Sequence, residues 1–134
     1  MNELMYRVST QKTVEEAVEA VGSALQENQF GVLWDLDINQ KLEEKGIEVE
    51  PPFRILEVCS APRAKQALSQ NQLVGYFLPC KVLVYEDRQS HQTTIGYAKP
   101  DALMGLLGDE RLEPLAAEVD RLLRRAVDQA AQSR

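Results

Sequence analysis

The two cysteines of the chain, Cys59 and Cys80, are the residues whose type is best suited to chemistry. Each stands at one end of an apolar segment with a proline close by, in "RILEVCSAP" and in "FLPCKVLVYED". Two thiols in this setting fit three interpretations: a reactive redox or carrier pair, part of a metal site, or two small apolar residues that fill a core. The sequence leaves all three open.

The reactive interpretation depends mainly on Cys59, which is predicted to end a strand just before a helix begins. The positive end of a helix dipole lowers the pKa of a nearby thiol, and the thiolate is the reactive species. Lys81 directly follows Cys80, but on an extended strand its side chain points to the opposite face. We therefore expect Cys59 to be the more reactive thiol, with Cys80 as a resolving thiol or second ligand.

A metal site has less support, because zinc prefers four ligands and the chain offers no CxxC motif and a single histidine, His91. Four sulfurs shared across a dimer would be needed. No metal is assigned, and the cofactor is unknown. The chain also has no GxSxG motif and no phosphate-binding glycine loop. These features favour a protein without catalytic activity.

Three carboxylates are further candidates. Glu57 shares a predicted strand face with Phe53 and Ile55. If it is buried, it must be paired or protonated, and if it is exposed, it lines a pocket or interface with these two residues. Asp35 and Asp37 share one face of another predicted strand, where they could bind a cation or raise one another's pKa. For Asp37 the simpler interpretation is a cap on the helix that follows.

Apolar spacing predicts the elements that position these residues. Thr13 and Glu16 match a capping box, and apolar residues recur at helical spacing after it, which predicts a helix over 13–28. The segment "FGVLWDLDI" alternates, which predicts a strand with Phe30, Val32, Trp34, Leu36 and Ile38 on one buried face. Beyond it the pattern predicts a short helix ended by Gly46, a strand over 53–60, a helix over 61–70, a hairpin over 80–99 and a long helix over 113–131.

The order of these elements is β-α-β, then three more strands with short helical insertions, then a final helix. It lacks the regular alternation of a parallel sheet, so we predict an α+β two-layer sandwich, with two long helices on one face of an antiparallel sheet. At 134 residues the chain fits a single domain, residues 1–134. The second sheet face has no evident cover, which predicts a homodimer.

Three segments together resemble the DUF302 family (domain of unknown function 302): "DLDINQKLEEKGIE", "PFRILEVCSAPRAKQAL" and "VGYFLPCKVLVYED". The resemblance extends from about Thr13 to Pro100, and the Leu-Pro-Cys segment is its most specific part. Ser60 departs from the family, which commonly has Asn there, but both residues cap helices well, so little structural change is expected. The resemblance implies a TATA-binding-protein-like β-α-β(4)-α fold and implies no established activity.

Composition restricts the partners. The net charge is −6 and no basic stripe is visible, so nucleic-acid binding is not expected. The sequence has neither a signal-peptide pattern nor an apolar run long enough for a membrane span, so we expect a soluble, cytoplasmic protein with no membrane partner.

The function itself is unknown from the sequence. The favoured prediction is a binding module for a small molecule or a protein, whose identity is unknown. The alternative is a thiol-dependent redox, sulfur-carrier or metal-carrier protein. Both predictions use the same candidate site, which consists of Glu57, Cys59, Pro79, Cys80 and Lys81.

Overall fold

The structure is a computed structural model that describes residues 4–48 and 51–132. Within these residues the chain forms a five-stranded antiparallel sheet with the spatial order β1-β5-β4-β3-β2. The strands are β1 Met5–Thr10, β2 Gly31–Asp37, β3 Phe53–Cys59, β4 Cys80–Glu86 and β5 Thr93–Ala98. The antiparallel sheet confirms the predicted strand arrangement.

Two long helices, α1 and α5, pack together on one face of this sheet. The helices are α1 Val14–Glu27, α2 Ile38–Glu44, α3 Ala61–Gln70, α4 Pro100–Gly105 and α5 Glu113–Gln132, with 3-10 turns over Gln72–Phe77 and Glu110–Leu112. The result is the predicted α+β fold, β-α-β(4)-α with short helical insertions. Within the described residues, no helix has both the length and the apolar character needed to cross a lipid bilayer.

The start of α1 follows directly from its sequence. The Glu16 amide donates to Thr13 Oγ1 over 3.1 Å, and the Thr13 amide donates to Glu16 Oε1 over 2.9 Å. This reciprocal pair is the predicted capping box, and it satisfies amides that have no partner within the helix. The apolar stripe then buries Ala17, Val21 and Leu25 completely.

Strand β2 differs from its prediction because it contains a bulge. The register shifts between Val32 and Trp34, so Val32 pairs with the core residue Val58 while Trp34 pairs with Glu57 on the opposite face. One extra residue in a strand moves every later side chain to the other face. The predicted common face from Phe30 to Ile38 is therefore wrong, and the side chain of Trp34 is 55% exposed.

We call the sheet face opposite α1 and α5 the open face. Its side chains are Trp34 and Leu36 on β2, the alternate residues from Phe53 to Cys59 on β3, those from Lys81 to Tyr85 on β4, those from Thr94 to Ala98 on β5, and those from Met5 to Ser9 on β1. Leu56, Val58, Val82 and Val84, on the other face, are buried under the helices. The open face is thus apolar at its centre and faces away from the long helices.

Gly96 lies on the open face where β5 meets β1. A Cβ atom at this position would lie 2.9 Å from Arg7 Cγ and 2.9 Å from the backbone oxygen of Tyr6. These separations are shorter than a van der Waals contact, so only glycine lets the two strands and the Arg7 stem approach this closely.

Candidate functional site

The two cysteines lie on neighbouring strands but on opposite faces of the sheet. Cys80 pairs across the strands with the buried Val58 and packs against the core beneath the helices. Cys59 follows Val58 in the chain, so its side chain points to the open face. Both cysteines lie within the described residues, and no disulfide joins them.

The environment of both thiols favours the protonated form. Burial raises the pKa of Cys59 above its ordinary value. Burial also raises the pKa of Cys80 to about 11, with smaller contributions from the charges of Cys59 and Glu57. The expectation that the start of α3 lowers the pKa of Cys59 is therefore not met, and both thiols are protonated at neutral pH.

Ser60 caps α3 less directly than expected. It occupies the N-cap position, but within the described residues its hydroxyl makes no capping hydrogen bond. The hydroxyl instead accepts from Arg63 Nη1 over 3.2 Å, and Arg63 Nε donates to Glu118 Oε1 over 2.6 Å. These hydrogen bonds connect the beginning of α3 to α5. Because the Ser60 hydroxyl bonds to Arg63 and does not cap α3, Ser60 is not equivalent to a capping asparagine.

Glu57 is a paired residue of the open face. It lies directly opposite Lys81 on β4, whose Nζ donates to Glu57 Oε1. The Glu57 side chain is 12% exposed, whereas that of Lys81 is 59% exposed. Of the predicted possibilities, the Glu57 carboxylate is therefore largely buried and has a partner, the Lys81 ammonium group.

Asp35 and Asp37 share a strand face, as predicted, but each has a structural partner. Arg54 Nε donates to Asp35 Oδ1 over 2.9 Å, and its Nη2 donates to Asp35 Oδ2. Asp37 caps α2 by accepting from the Gln40 amide over 3.2 Å. Within residues 4–48 and 51–132, no group of three or more His, Cys, Asp or Glu side chains is placed to hold a metal ion. The two aspartates thus stabilise local structure.

A cavity of about 290 Å³ lies where β4 begins, between the 72–77 turn and α4; we call it the Pro79 cavity. It is lined by Tyr76, Phe77, Pro79, Cys80, Lys81, Ala98, Pro100, Leu103 and Met104. Most of this wall is aromatic or aliphatic, and Lys81 supplies a charged group. Both cysteines also line a separate space of about 20 Å³. That space holds no more than about one water molecule.

The Pro79 cavity unites part of the predicted site. Pro79, Cys80 and Lys81 line it, and Glu57 is joined to it through Lys81. Cys59 is not among the described residues that line it. The sequence reasoning missed Tyr76, whose side chain is 85% exposed beside the cavity. The sequence feature that could have identified Tyr76 is the aromatic pair Tyr76–Phe77, which directly precedes the Leu-Pro-Cys segment.

The cavity can bind a small molecule through apolar contact and one oriented polar contact. A lysine ammonium group has three protons to donate. One proton of Lys81 goes to Glu57, so further protons are available to an oxygen acceptor of a ligand. The thiol of Cys80 is held in its protonated form, so it contributes volume to the wall and not a nucleophile.

Comparison with known proteins identifies the family of this chain. The family model described as Domain of unknown function DUF302 matches residues 6–130. The crystal structure of an uncharacterized conserved protein DUF302 from Bacillus stearothermophilus is similar, with 38% sequence identity and a TM-score of 0.89 over 95% of this chain and 98% of that chain. No curated protein matches. Because the family model spans nearly the whole described fold, the chain belongs to the DUF302 family.

Proposed function

We propose that the chain is a cytoplasmic binding module that holds a small, mostly apolar ligand in the Pro79 cavity. The observation that supports this proposal is the position of the cavity, which gathers Pro79, Cys80 and Lys81 under an aromatic and aliphatic wall. Ligand sites in proteins are mostly apolar, with a few polar groups that fix the orientation of the ligand.

The size and chemistry of the cavity indicate the ligand class. A volume of about 290 Å³ is close to the lower limit of ligand pockets, about 300 Å³. A single ring system or a short acyl chain fits such a space. The remaining ammonium protons of Lys81 select a ligand with one oxygen acceptor at its end. Tyr76 stands beside the cavity, where its ring can contact the ligand.

A fluorescence titration with anilinonaphthalene sulfonate tests this proposal. The probe has an apolar ring system with a charged acceptor, and its emission rises in an apolar site. We expect saturable binding to the wild-type protein. Leu103→Trp should fill the cavity and weaken binding at least about tenfold, whereas Leu106→Trp, at an exposed position just beyond α4, should leave it unchanged.

Two further variants separate the possible outcomes. Tyr76→Ala removes an exposed side chain, should leave the fold intact, and should also weaken binding of the probe. Circular dichroism confirms the fold of each variant. Probe binding that is lost in Trp34→Ala but retained in Leu103→Trp would place the site on the open face and contradict the proposal.

The thiol-dependent alternative has less support. Cys59 and Cys80 point to opposite faces of the sheet, and burial raises the pKa of both thiols. The raised pKa values leave little of the reactive thiolate at neutral pH.

We also propose that the module forms a homodimer through the open face. The exposed ring of Trp34 and the partly exposed Ile55 and Leu83, all on the open face, support this proposal. Exposed apolar surface of this kind commonly marks an interface. Light scattering at high micromolar concentration tests the homodimer, and a monomer at that concentration would contradict it.

A further inference from the structure

Extending the proposed homodimer, we infer that two copies pack open face to open face around a two-fold axis that runs along the strands, between β3 and β4. In this arrangement Glu57 of each copy contacts Lys81 of the other. The inference therefore assigns both the occupant of the open face, a second copy of the chain, and the residue pairs that fix its orientation.

The register of β3 and β4 supports this axis. Glu57 lies opposite Lys81, and Ile55 lies opposite Leu83, on either side of the line between the two strands. A two-fold rotation about that line exchanges β3 with β4 and keeps each row at its own level. Each Glu57 then faces Lys81 of the second copy, and each Ile55 faces Leu83 of the second copy. An interface of this type is self-complementary, as a two-fold symmetric dimer requires.

The charges of Glu57 and Lys81 are complementary across this axis. Each chain has a net charge of −6, so two copies repel one another unless opposite charges meet locally. Lys81 is the more exposed member of its intrachain pair, at 59%, and it has ammonium protons beyond the one donated to Glu57. A carboxylate from the second copy can accept one of them. The axis thus creates an alternating ring of two carboxylates and two ammonium groups.

The sizes of the outer side chains fit the same axis. The rotation that exchanges β3 with β4 also places β2 of one copy over β5 of the other. Trp34 pairs with Glu57 and is therefore level with it. On the other side of the sheet, Tyr97 pairs with Val82. Because β4 and β5 are antiparallel, the next residue of β5, Ala98, is level with the preceding residue of β4, Lys81. The large exposed ring of Trp34 therefore meets the small side chain of Ala98. Large side chains opposite small ones allow two sheet faces to interdigitate.

Charge reversal at these positions tests the inference. In a homodimer of Glu57→Lys, four lysines meet at the axis, and in a homodimer of Lys81→Glu, four glutamates meet there. We expect each variant alone to dimerise at least about a hundredfold more weakly than wild type. A mixture of the two variants should form a heterodimer, because lysines of one chain then face glutamates of the other. Native mass spectrometry with one isotope-labelled chain measures the three species.

Matched controls are available on the helix side of the molecule. Glu19→Lys on α1 and Lys65→Glu on α3 reverse exposed charges away from the open face, so both should remain homodimers with no preference for mixing. Trp34→Ala, at an exposed position, should weaken the wild-type dimer at least about tenfold. If the charge variants do not fold, as judged by circular dichroism, this variant still tests whether the open face forms the interface.

The outcomes separate the two proposals. A monomeric wild type overturns both the homodimer and its geometry. A dimeric wild type, together with charge variants that still dimerise and show no preference for each other, overturns only the axis between β3 and β4. An unchanged dissociation constant for Trp34→Ala overturns the axis as well.

Discussion

The directions in which the side chains of Cys59 and Cys80 point are set by a difference of one residue in the strand register. Val58 pairs with Cys80, so Cys59, the next residue, points to the other face of the sheet. One thiol therefore packs against the core and the other lies on the open face, although their strands are neighbours. Sequence spacing identified both residues, but the relative register of β3 and β4 decided their roles, and no local pattern encodes that register.

Alkylation of the native protein should be slow at neutral pH for both thiols. Burial raises both pKa values, that of Cys80 to about 11, so little thiolate is present. The Cys80→Ser variant reports on Cys59, and the Cys59→Ser variant reports on Cys80. We expect the iodoacetamide rate to be higher for Cys59 and to rise only at alkaline pH. Rapid labelling of either variant below the free-thiol pKa would restore the thiol-dependent alternative.

Tyr97 should make stability depend on alkaline pH. Its hydroxyl, buried under α5, donates to Asp120 Oδ1 over 3.1 Å and contacts the Asp120 carbonyl oxygen at 3.2 Å. Burial raises the pKa of Tyr97, so the folded protein keeps a proton that the unfolded chain loses above about pH 10. The stabilisation is complete below that pH and is lost as the pH rises further.

The Tyr97→Phe variant tests this contribution by urea unfolding across the alkaline range. At neutral pH we expect the free energy of unfolding to fall by about 1 kcal/mol, because the buried hydrogen bond is lost. Above about pH 10 the difference from wild type should shrink. Tyr76→Phe, which alters an exposed ring, is the control and should follow wild type throughout. A constant difference between Tyr97→Phe and wild type at every pH would contradict this account.

At the scale of elements, strong local signals gave correct predictions. The Thr13 capping box places the start of α1, and Gly46 follows the end of α2 with a φ of 71°. The β2 bulge was not predicted. Leu33 is apolar like its neighbours, so an extra residue at this position cannot be recognised from the spacing of apolar residues. The 72–77 turn was missed because a 3-10 turn has no apolar period to detect.

The contact between β1 and β5 should be highly sensitive at Gly96. Gly96→Ala introduces a Cβ atom 2.9 Å from both Arg7 Cγ and the Tyr6 carbonyl oxygen. The Arg7 side chain can move, but the Tyr6 backbone cannot do so easily. We therefore expect a loss of about 1–3 kcal/mol in the free energy of unfolding. Chemical denaturation measures it.

Gly22→Ala provides the matched control for this change. Gly22 lies inside α1, and a Cβ atom there has no neighbour within 4 Å among the described residues. Alanine favours a helix interior over glycine, so this variant should be more stable than wild type by about 0.5–1 kcal/mol. Equal effects of the two substitutions would show that the close approach at Gly96 does not constrain the sheet.

At the scale of the whole molecule, the order of elements was enough to predict the architecture. Two apolar helical stripes need one common sheet face, and an antiparallel sheet follows from the short connections between β4 and β5. The Pro79 cavity could be predicted only in part. Pro79 and Lys81 were predicted from the sequence as site residues. Leu103 and Met104 line the cavity only because the fold packs α4 against the start of β4, which the sequence does not indicate.

The most direct test of the binding module is the location of a bound ligand. An amide chemical-shift titration of the wild-type protein with anilinonaphthalene sulfonate measures it residue by residue. We expect saturable shifts concentrated at Phe77, Cys80, Lys81, Leu103 and Met104, which line the Pro79 cavity. Shifts confined to the open face around Trp34, or no saturable shifts at all, would contradict the assignment of the Pro79 cavity as the binding site.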